Sequence, residues 1–344
     1  MTAETAAPDG PPGLSLSRLT AWLDEHHPGL RKGDLQASVI QGGRSNLTYR
    51  LTDNHSQWAL RRPPLGHVLP TAHDMAREFR VISALHGSAV PVAEPIVYCA
   101  DRDVLGEPFY IMSFVDGTVL ETPDLVQDPA IAQYATECLV DTLVALHSVD
   151  VEAAGLADFG KAEGFLARQI RRWHQQFESS VPDGNPREQA VAKALAESLP
   201  TSTRTGVVHG DYRLTNVLFS KDFSQIEAVV DWEMATLGDP LTDVGLLYVY
   251  HQLAGMNEGV MPNFPSAQGF LSPDDMVARY AKATGLDVSE LNWYIAFGYF
   301  KLSVIAAGIH ARFLQGNTVG AGFEIFGPIV DRTLDAAHSQ LGGI

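Results

Sequence analysis

Cysteine is nearly absent from this chain: there are two in 344 residues, Cys99 and Cys138, set among apolar neighbours in IVYCA and TECLV. Two thiols without metal-ligand spacing exclude a disulfide framework and a cysteine zinc site, and they predict buried thiols in a reducing compartment. Basic charge is scarce as well. The formal net charge is −17, which argues against nucleic acid or an anionic membrane as a partner. No uninterrupted apolar run reaches the roughly 20 residues of a membrane span. The opening MTAETAAPDGPPG has neither the basic nor the apolar region of a signal peptide. Its Ala, Pro and Gly content reads as a disordered lead-in over residues 1–14. The expectation is a soluble, cytoplasmic protein. G-x-G-x-x-G and G-x-x-x-x-G-K-[ST] are both missing, which removes the Rossmann and P-loop nucleotide sites.

What is present divides into two textures, predicted as lobes over 15–112 and 113–344. LQASVIQ, NLTYRLT and SQWALRR are short runs rich in β-branched and aromatic residues, broken by QGGRS and TDNHSQ. TAHDMAREFRVISALHG then has helical spacing, with Met75, Phe79, Ile82 and Leu85 on one face and Gly87 as a stop. Two further strands, around IVYCA and EPFYIMSF, flank the turn DRDVLG. Beyond Asp116-Gly117 the long segments are helix-periodic, from PAIAQYATECLVDTLVALHSVD to LNWYIAFGYFKLSVIAAGIHARFLQG. Only VVHGDYRLTNVLF and IEAVVDWE look like strand and loop there. The predicted fold is α+β: a small antiparallel sheet with one helix, then a mostly helical lobe.

The chemistry is concentrated in those two exceptions. Asp211 follows an apolar run, Asn216 stands five positions on, and Asp231 follows the next apolar run. Phosphoryl transfer needs this set: one carboxylate to accept or orient the proton of an attacking hydroxyl, and an amide oxygen with a second carboxylate to hold magnesium. Magnesium prefers hard oxygen donors, which Asn and Asp supply. Each residue alone reads equally as a turn or cap; the joint spacing does not.

HGDYRLTNVLF followed by VVDWEMATLGDPLTDVG resembles the aminoglycoside phosphotransferase and choline kinase-like family, whose fold is protein-kinase-like. GGRSNLTYRL, ALRRPP, ALHSVD and GDPLTDVG are similar to the subgroup related to the kinase-like domains fused to acyl-CoA dehydrogenases. The resemblance covers most of the chain from about Leu35. It implies an ATP- and magnesium-dependent small-molecule kinase with Asp211 as base and Asn216 and Asp231 on the metal. Trp232-Glu233 stands where kinases have Phe-Gly.

Under that resemblance, Trp58-Ala59-Leu60-Arg61 corresponds to the strand whose lysine binds the phosphates and pairs with a helix glutamate. Arg61 replaces that lysine, a flat fork in place of a point charge, and Glu78 is its expected partner or else a plain surface glutamate. Arg62 faces the other side by strand alternation, as a surface or loop contact. Gly42, Gly43 and Ser45 in QGGRSN are either a simple hairpin turn or a phosphate cover. Met112, with the backbone of Ser113 and Val115, is expected to border the adenine. Arg213 either stabilises transition-state charge or pairs with a neighbouring acid. His209, Asp239 and Asp243 read as residues that fix loops, and His147 and Trp173 as packing.

The acceptor stays open. An aminoglycoside-like cation needs an acidic pocket, whereas a hydroxyacyl-CoA needs basic groups, for which Arg168, Arg171, Arg172 and Arg312 are candidates. A non-catalytic nucleotide-binding scaffold is the alternative of a different class. A protein kinase fits less well, because the chain lacks Asp-Phe-Gly and Ala-Pro-Glu.

Overall fold

Period-two alternation builds the sheet in the first third of the chain. The computed structural model describes residues 9–40, 46–65, 73–122, 125–202, 204–255, 268–316 and 322–342. Its two compact units are Met1–Asp116 with Glu227–Glu233, and Gly117–Ile226 with Met234–Ile344. The first unit thus runs slightly past the expected 112/113 division and also takes in the segment that carries Asp231.

In the first unit, α1 (Leu16–His26) precedes β1 (Gln36–Val39), β2 (Leu47–Thr52) and β3 (Gln57–Arg62); α2 (Met75–Leu85), β4 (Pro95–Cys99), α3 (Arg102–Leu105) and β5 (Phe109–Ser113) follow. The five strands form one antiparallel sheet in the order β1-β2-β3-β5-β4. Alternate residues of three strands, Tyr49 and Leu51, Trp58 and Leu60, Phe109 and Ile111, share a core with Leu19 and Leu23 of α1. Side chains one position away face the opposite side. There Arg61 of β3 is paired in register with Tyr110 of β5 and Ala59 with Met112, and α2 packs against β5 and β4.

Three expectations change in this unit. Of the lead-in expected to be disordered over 1–14, residues 1–8 lie outside the described residues, while 9–14 are held in place: Leu14 is buried, and Tyr49 donates its hydroxyl to the Pro12 carbonyl at 2.6 Å. Composition hides this because it counts residue types and cannot see a partner far along the chain. Arg62 is buried, not a surface residue, and donates to the carbonyls of Gly13, Leu105 and Pro63. DRDVLG is a one-turn helix, α3, N-capped by Asp101 and closed by Gly106 in the left-handed region.

The second unit contains α4 (Pro129–His147), α5 (Phe165–Ser180), α6 (Pro186–Glu197), β6 (Gly206–Val208) and β7 (Val217–Phe219). After β8 (Ile226–Val229), whose last three residues belong to the first unit, come β9 (Thr236–Gly238), α7 (Leu241–Gly255), α8 (Pro273–Thr284), α9 (Leu291–Leu314) and α10 (Phe326–Gln340). Three of these helices begin alike, with Asp128, Asn185 or Ser272 capping a proline in the first turn. The side chain satisfies a backbone N–H while proline forgoes one that has no intrahelical partner. β6 pairs with β9 antiparallel, Val208 opposite Thr236. This short ladder holds the start of the His-Gly-Asp loop.

By length and composition α9 could cross a membrane, but 67% of its apolar window is buried inside the protein. It packs against α5, α6, α7 and α10. Cys99 is buried as expected, but Cys138 is only half-buried on α4.

Candidate active site

Two clusters of polar side chains stand out, one in each unit. In the first, the Arg61 side chain projects from β3 toward α2, and its Nε donates to Glu78 Oε2 at 2.8 Å. Glu78 is 1% exposed, which removes the reading of a surface glutamate. The other arm of the guanidinium donates to Asp231 Oδ1. Tyr110 donates its hydroxyl to the same Glu78 oxygen at 3.0 Å, while Asn46 Nδ2 reaches Glu78 Oε1 at 2.8 Å and Glu233 Oε2 at 3.1 Å. Burial pulls the Arg61 pKa down, but the charges of Glu78, Tyr110, Asp231 and Glu233 outweigh it, and the guanidinium titrates above its ordinary range. Burial likewise pushes the Glu78 carboxyl up, opposed by Arg61. A forked cation suits this place, since it serves two acids in different directions at once.

Asp231 has φ +68. Aspartate tolerates the left-handed region better than most residues, which suits an Asp here. Met112 and Ser113 lie half-buried at the end of β5. The Ser113 N–H already donates to the Glu94 carbonyl at 2.8 Å, and its Oγ accepts from the Glu94 N–H at 2.9 Å. That N–H is therefore committed within the sheet. Val115 is in the loop that follows. Gly42, Gly43 and Ser45 lie outside the described residues.

The second cluster is the His-Gly-Asp loop. Gly210 has φ +83, and a Cβ added there would stand 2.8 Å from the Met234 carbonyl oxygen, so only glycine fits. The backbone N–H groups of His209 and Gly210 both donate to the Asp243 carboxylate, at 2.7 and 2.8 Å. The Asp211 N–H donates to His209 Nδ1 at 3.1 Å. Asp243 also meets His147 Nε2 at 3.2 Å, and His147 Nδ1 meets the Tyr280 hydroxyl at 2.8 Å. Asp239 accepts from the Leu241 N–H at 3.0 Å and from the Tyr294 hydroxyl at 2.8 Å. His209, Asp239 and Asp243 therefore fix loops, as expected, and His147 is a polar strut, more than packing alone.

This scaffold presents Asp211. Asn216 Nδ2 donates to the Asp211 carbonyl at 2.7 Å and to Asp211 Oδ2 at 2.9 Å. Its amide nitrogen is thus committed to Asp211. Arg213 Nε lies 3.5 Å from Asp211 Oδ2 and its guanidinium covers the Tyr250 ring at 5.1 Å. The ion-pair reading of Arg213 thus holds, with Asp211 itself as the acid. Arg168 donates to the carbonyls of Glu163 and Lys161, so it secures its own loop, and Arg171 and Arg312 are exposed.

Two residues at this loop were not anticipated. Tyr250 on α7 donates its hydroxyl to Asp211 Oδ1, and Lys301 on α9 donates to the Gly210 carbonyl with its ammonium 5.3 Å from the Trp173 ring centre. Burial lowers the Lys301 pKa to about 8. The lone lysine within the apolar run FGYFKLSVIAA was the available signal. An ionisable group in such a run needs a partner.

Asp243 also yields a stability prediction. Burial works to raise its carboxyl pKa, but hydrogen bonds and charge from His147, His209 and Gly210 outweigh it, and the net shift is downward. A carboxyl depressed on folding adds stability above its unfolded pKa of about 3.9 and loses it as pH falls below that. Asp243→Ala should cost about 3–5 kcal/mol near pH 7, the range for breaking a buried pair. In urea titrations the gap from wild type should narrow below about pH 4. An unchanged midpoint at pH 7 would show that the loop does not hang on this carboxylate.

Residues 36–270 match the model of the phosphotransferase enzyme family, APH. The chain belongs to that family. It is 32% identical over 325 residues to acyl-CoA dehydrogenase family member 11 of Homo sapiens, covering 91% of this chain and 41% of that protein. It is 32% identical over 307 residues to the probable acyl-CoA dehydrogenase IBR3 of Arabidopsis thaliana, covering 82% and 37%. The chain therefore spans about two fifths of the length of these relatives. A solved structure from Ralstonia eutropha, provisionally described as an aminoglycoside phosphotransferase, superposes with a TM-score of 0.82 at 31% identity, covering 95% of this chain and 98% of that one. The ternary complex of a thermostable mutant of aminoglycoside phosphotransferase APH(4)-Ia with AMP-PNP and hygromycin B gives 0.61 at 14% identity, covering 95% and 98%. That level of identity shows a shared fold. The fold is the two-lobed, protein-kinase-like one.

Proposed function

We propose that this phosphotransferase moves the γ-phosphate of ATP, with magnesium, to a hydroxyl of a small molecule, and that Asp211 accepts or orients the hydroxyl proton. The observation that carries this is the Asp211 carboxylate itself: it sits on a loop fixed by Asp243, Lys301 and Gly210, yet remains partly open, with 17% of its side chain exposed. A carboxylate held this firmly at an open loop is suited to meet an incoming hydroxyl.

Asp231 and Asn216 are proposed to hold magnesium, because each offers the hard oxygen that this ion prefers. When bound, the ion would neutralise charge on the phosphates. Arg61, kept in place by Glu78, would bind phosphate oxygens through the guanidinium arm that now meets Asp231. Arg213 would offset charge that develops on the transferred group. Met112 would border the adenine, and the backbone near Ser113 and Val115 would meet its edge. Because the Ser113 N–H is spent on Glu94, its carbonyl and the Val115 backbone are the groups proposed for that task. Gly42, Gly43 and Ser45 are proposed as the phosphate cover.

For the acceptor, an anionic hydroxylated metabolite such as a hydroxyacyl-CoA is favoured over a cationic aminoglycoside. The support is Arg213 beside the partly exposed Asp211, together with the acyl-CoA dehydrogenase relatives. ADP release with MgATP should be measured over a panel of hydroxyacyl-CoAs, aminoglycosides and simple amino alcohols. Stimulation by hydroxyacyl-CoAs supports this reading. Stimulation by aminoglycosides alone reverses the substrate choice, and ATP binding without turnover would mean a nucleotide-binding scaffold.

Arg61 can be tested separately. Arg61→Met should raise the Michaelis constant for ATP about 10–100-fold, as loss of a charge-assisted hydrogen bond does, with Arg61→Lys in between. Since Arg61→Met also strands the buried Glu78, a urea titration must accompany it. A wild-type Michaelis constant in a folded Arg61→Met protein would remove Arg61 from the phosphates.

A further inference from the structure

We propose that Tyr250 is a positioning residue for phosphoryl transfer, fixing the carboxylate through which Asp211 meets the acceptor. The inference rests on the proposed role of Asp211. Its two oxygens are held from different directions. Oδ2 accepts from Asn216 within the same loop, 2.9 Å away, whereas Oδ1 accepts the hydroxyl of Tyr250 from α7. The loop alone could hold only one side of the carboxylate and leave it free to pivot about the Asn216 contact. Tyr250 removes that freedom.

The helix is built for it. Asp243 lies in the first turn of α7 and binds the backbone N–H groups of His209 and Gly210. Tyr250 follows seven residues later, two helical turns on and so on nearly the same face. One rigid element thus holds the backbone of the loop at one point and its functional carboxylate at another. Tyr250 is itself confined: it is 5% exposed, and the Arg213 guanidinium covers its ring. A phenol suits the task because it donates a hydrogen bond without bringing a positive charge. The charge of Asp211 stays unneutralised on this side, and lone pairs remain for an acceptor hydroxyl.

In the full chain, Tyr250→Phe keeps the ring and removes only the donor. With MgATP and water as the probe acceptor, ADP release by Tyr250→Phe should fall about 10–100-fold, the range for a hydrogen bond to a charged group. Its Michaelis constant for ATP should stay within about twofold of wild type. In an Asp211→Asn background the same substitution should change the rate less than about twofold, because residues that act as a unit are not additive. That non-additivity separates positioning from packing. Wild-type turnover by Tyr250→Phe, an equal further loss in the Asp211→Asn background, or a proportional loss of ATP binding and turnover would each overturn the assignment. If Asp211→Asn alone were as fast as wild type, the reading of Asp211 would fail first and take Tyr250 with it.

Discussion

Asp211→Asn is expected to lower turnover by about 10²–10⁴-fold, the usual worth of general acid–base catalysis. The substitution preserves size and shape and removes the negative charge and nearly all basicity. Loop geometry should survive, because the backbone is held elsewhere: Asp243 takes the His209 and Gly210 N–H groups, and Lys301 takes the Gly210 carbonyl. ATP affinity should therefore change by less than about twofold, giving a defect in kcat with little in KM. Turnover at the wild-type rate would contradict the proposed mechanism however closely the motifs agree. A variant that loses ATP binding and its unfolding transition together would make Asp211 a structural residue.

The second large effect is expected at Asp231. Its φ of +68 makes Asp231→Ala a poor probe, because alanine there adds backbone strain of roughly 1–2 kcal/mol. Asparagine tolerates that region, so Asp231→Asn isolates the charge. Arg61 would lose one of its carboxylates and keep Glu78 at 2.8 Å, so the sheet and α2 should remain joined. A metal ion contributes several kcal/mol to stabilising transferring charge, so kcat/KM should fall by about 10³-fold. Asn216→Ala should cost less in nucleotide affinity, since a neutral amide binds the ion more weakly than a carboxylate does. Titrating ATP with and without magnesium checks this. Equal magnesium dependence in wild type and Asp231→Asn would take Asp231 off the metal.

Much of the site was legible in the sequence because its signals are local. Asp211 and Asn216 share one loop, Gly210 stands where the backbone admits only glycine, and strand alternation put Arg61 on the face where Glu78 meets it. The α+β layout followed from the change in hydrophobic period near Asp116. What escaped notice depends on distant contacts. Tyr250 and Lys301 lie 39 and 91 residues from their partners Asp211 and Gly210. No spacing rule spans such gaps, although a lone lysine in an apolar helix was a usable warning. Arg62 was misread because alternation tells which face a residue takes, not whether that face is covered; here α1, α3 and residues 9–14 cover it. The same contacts order residues 9–14, which composition alone suggested were loose.

The most direct measurement follows the γ-phosphate itself. Phosphorus NMR of the full chain with MgATP and the best acceptor from the panel should show ATP signals declining as ADP and a new phosphomonoester resonance appear together. Both should require magnesium and be lost in Asp211→Asn. ATP that stays intact with every hydroxyl offered, or phosphate released only to water, would contradict phosphoryl transfer to a small-molecule hydroxyl.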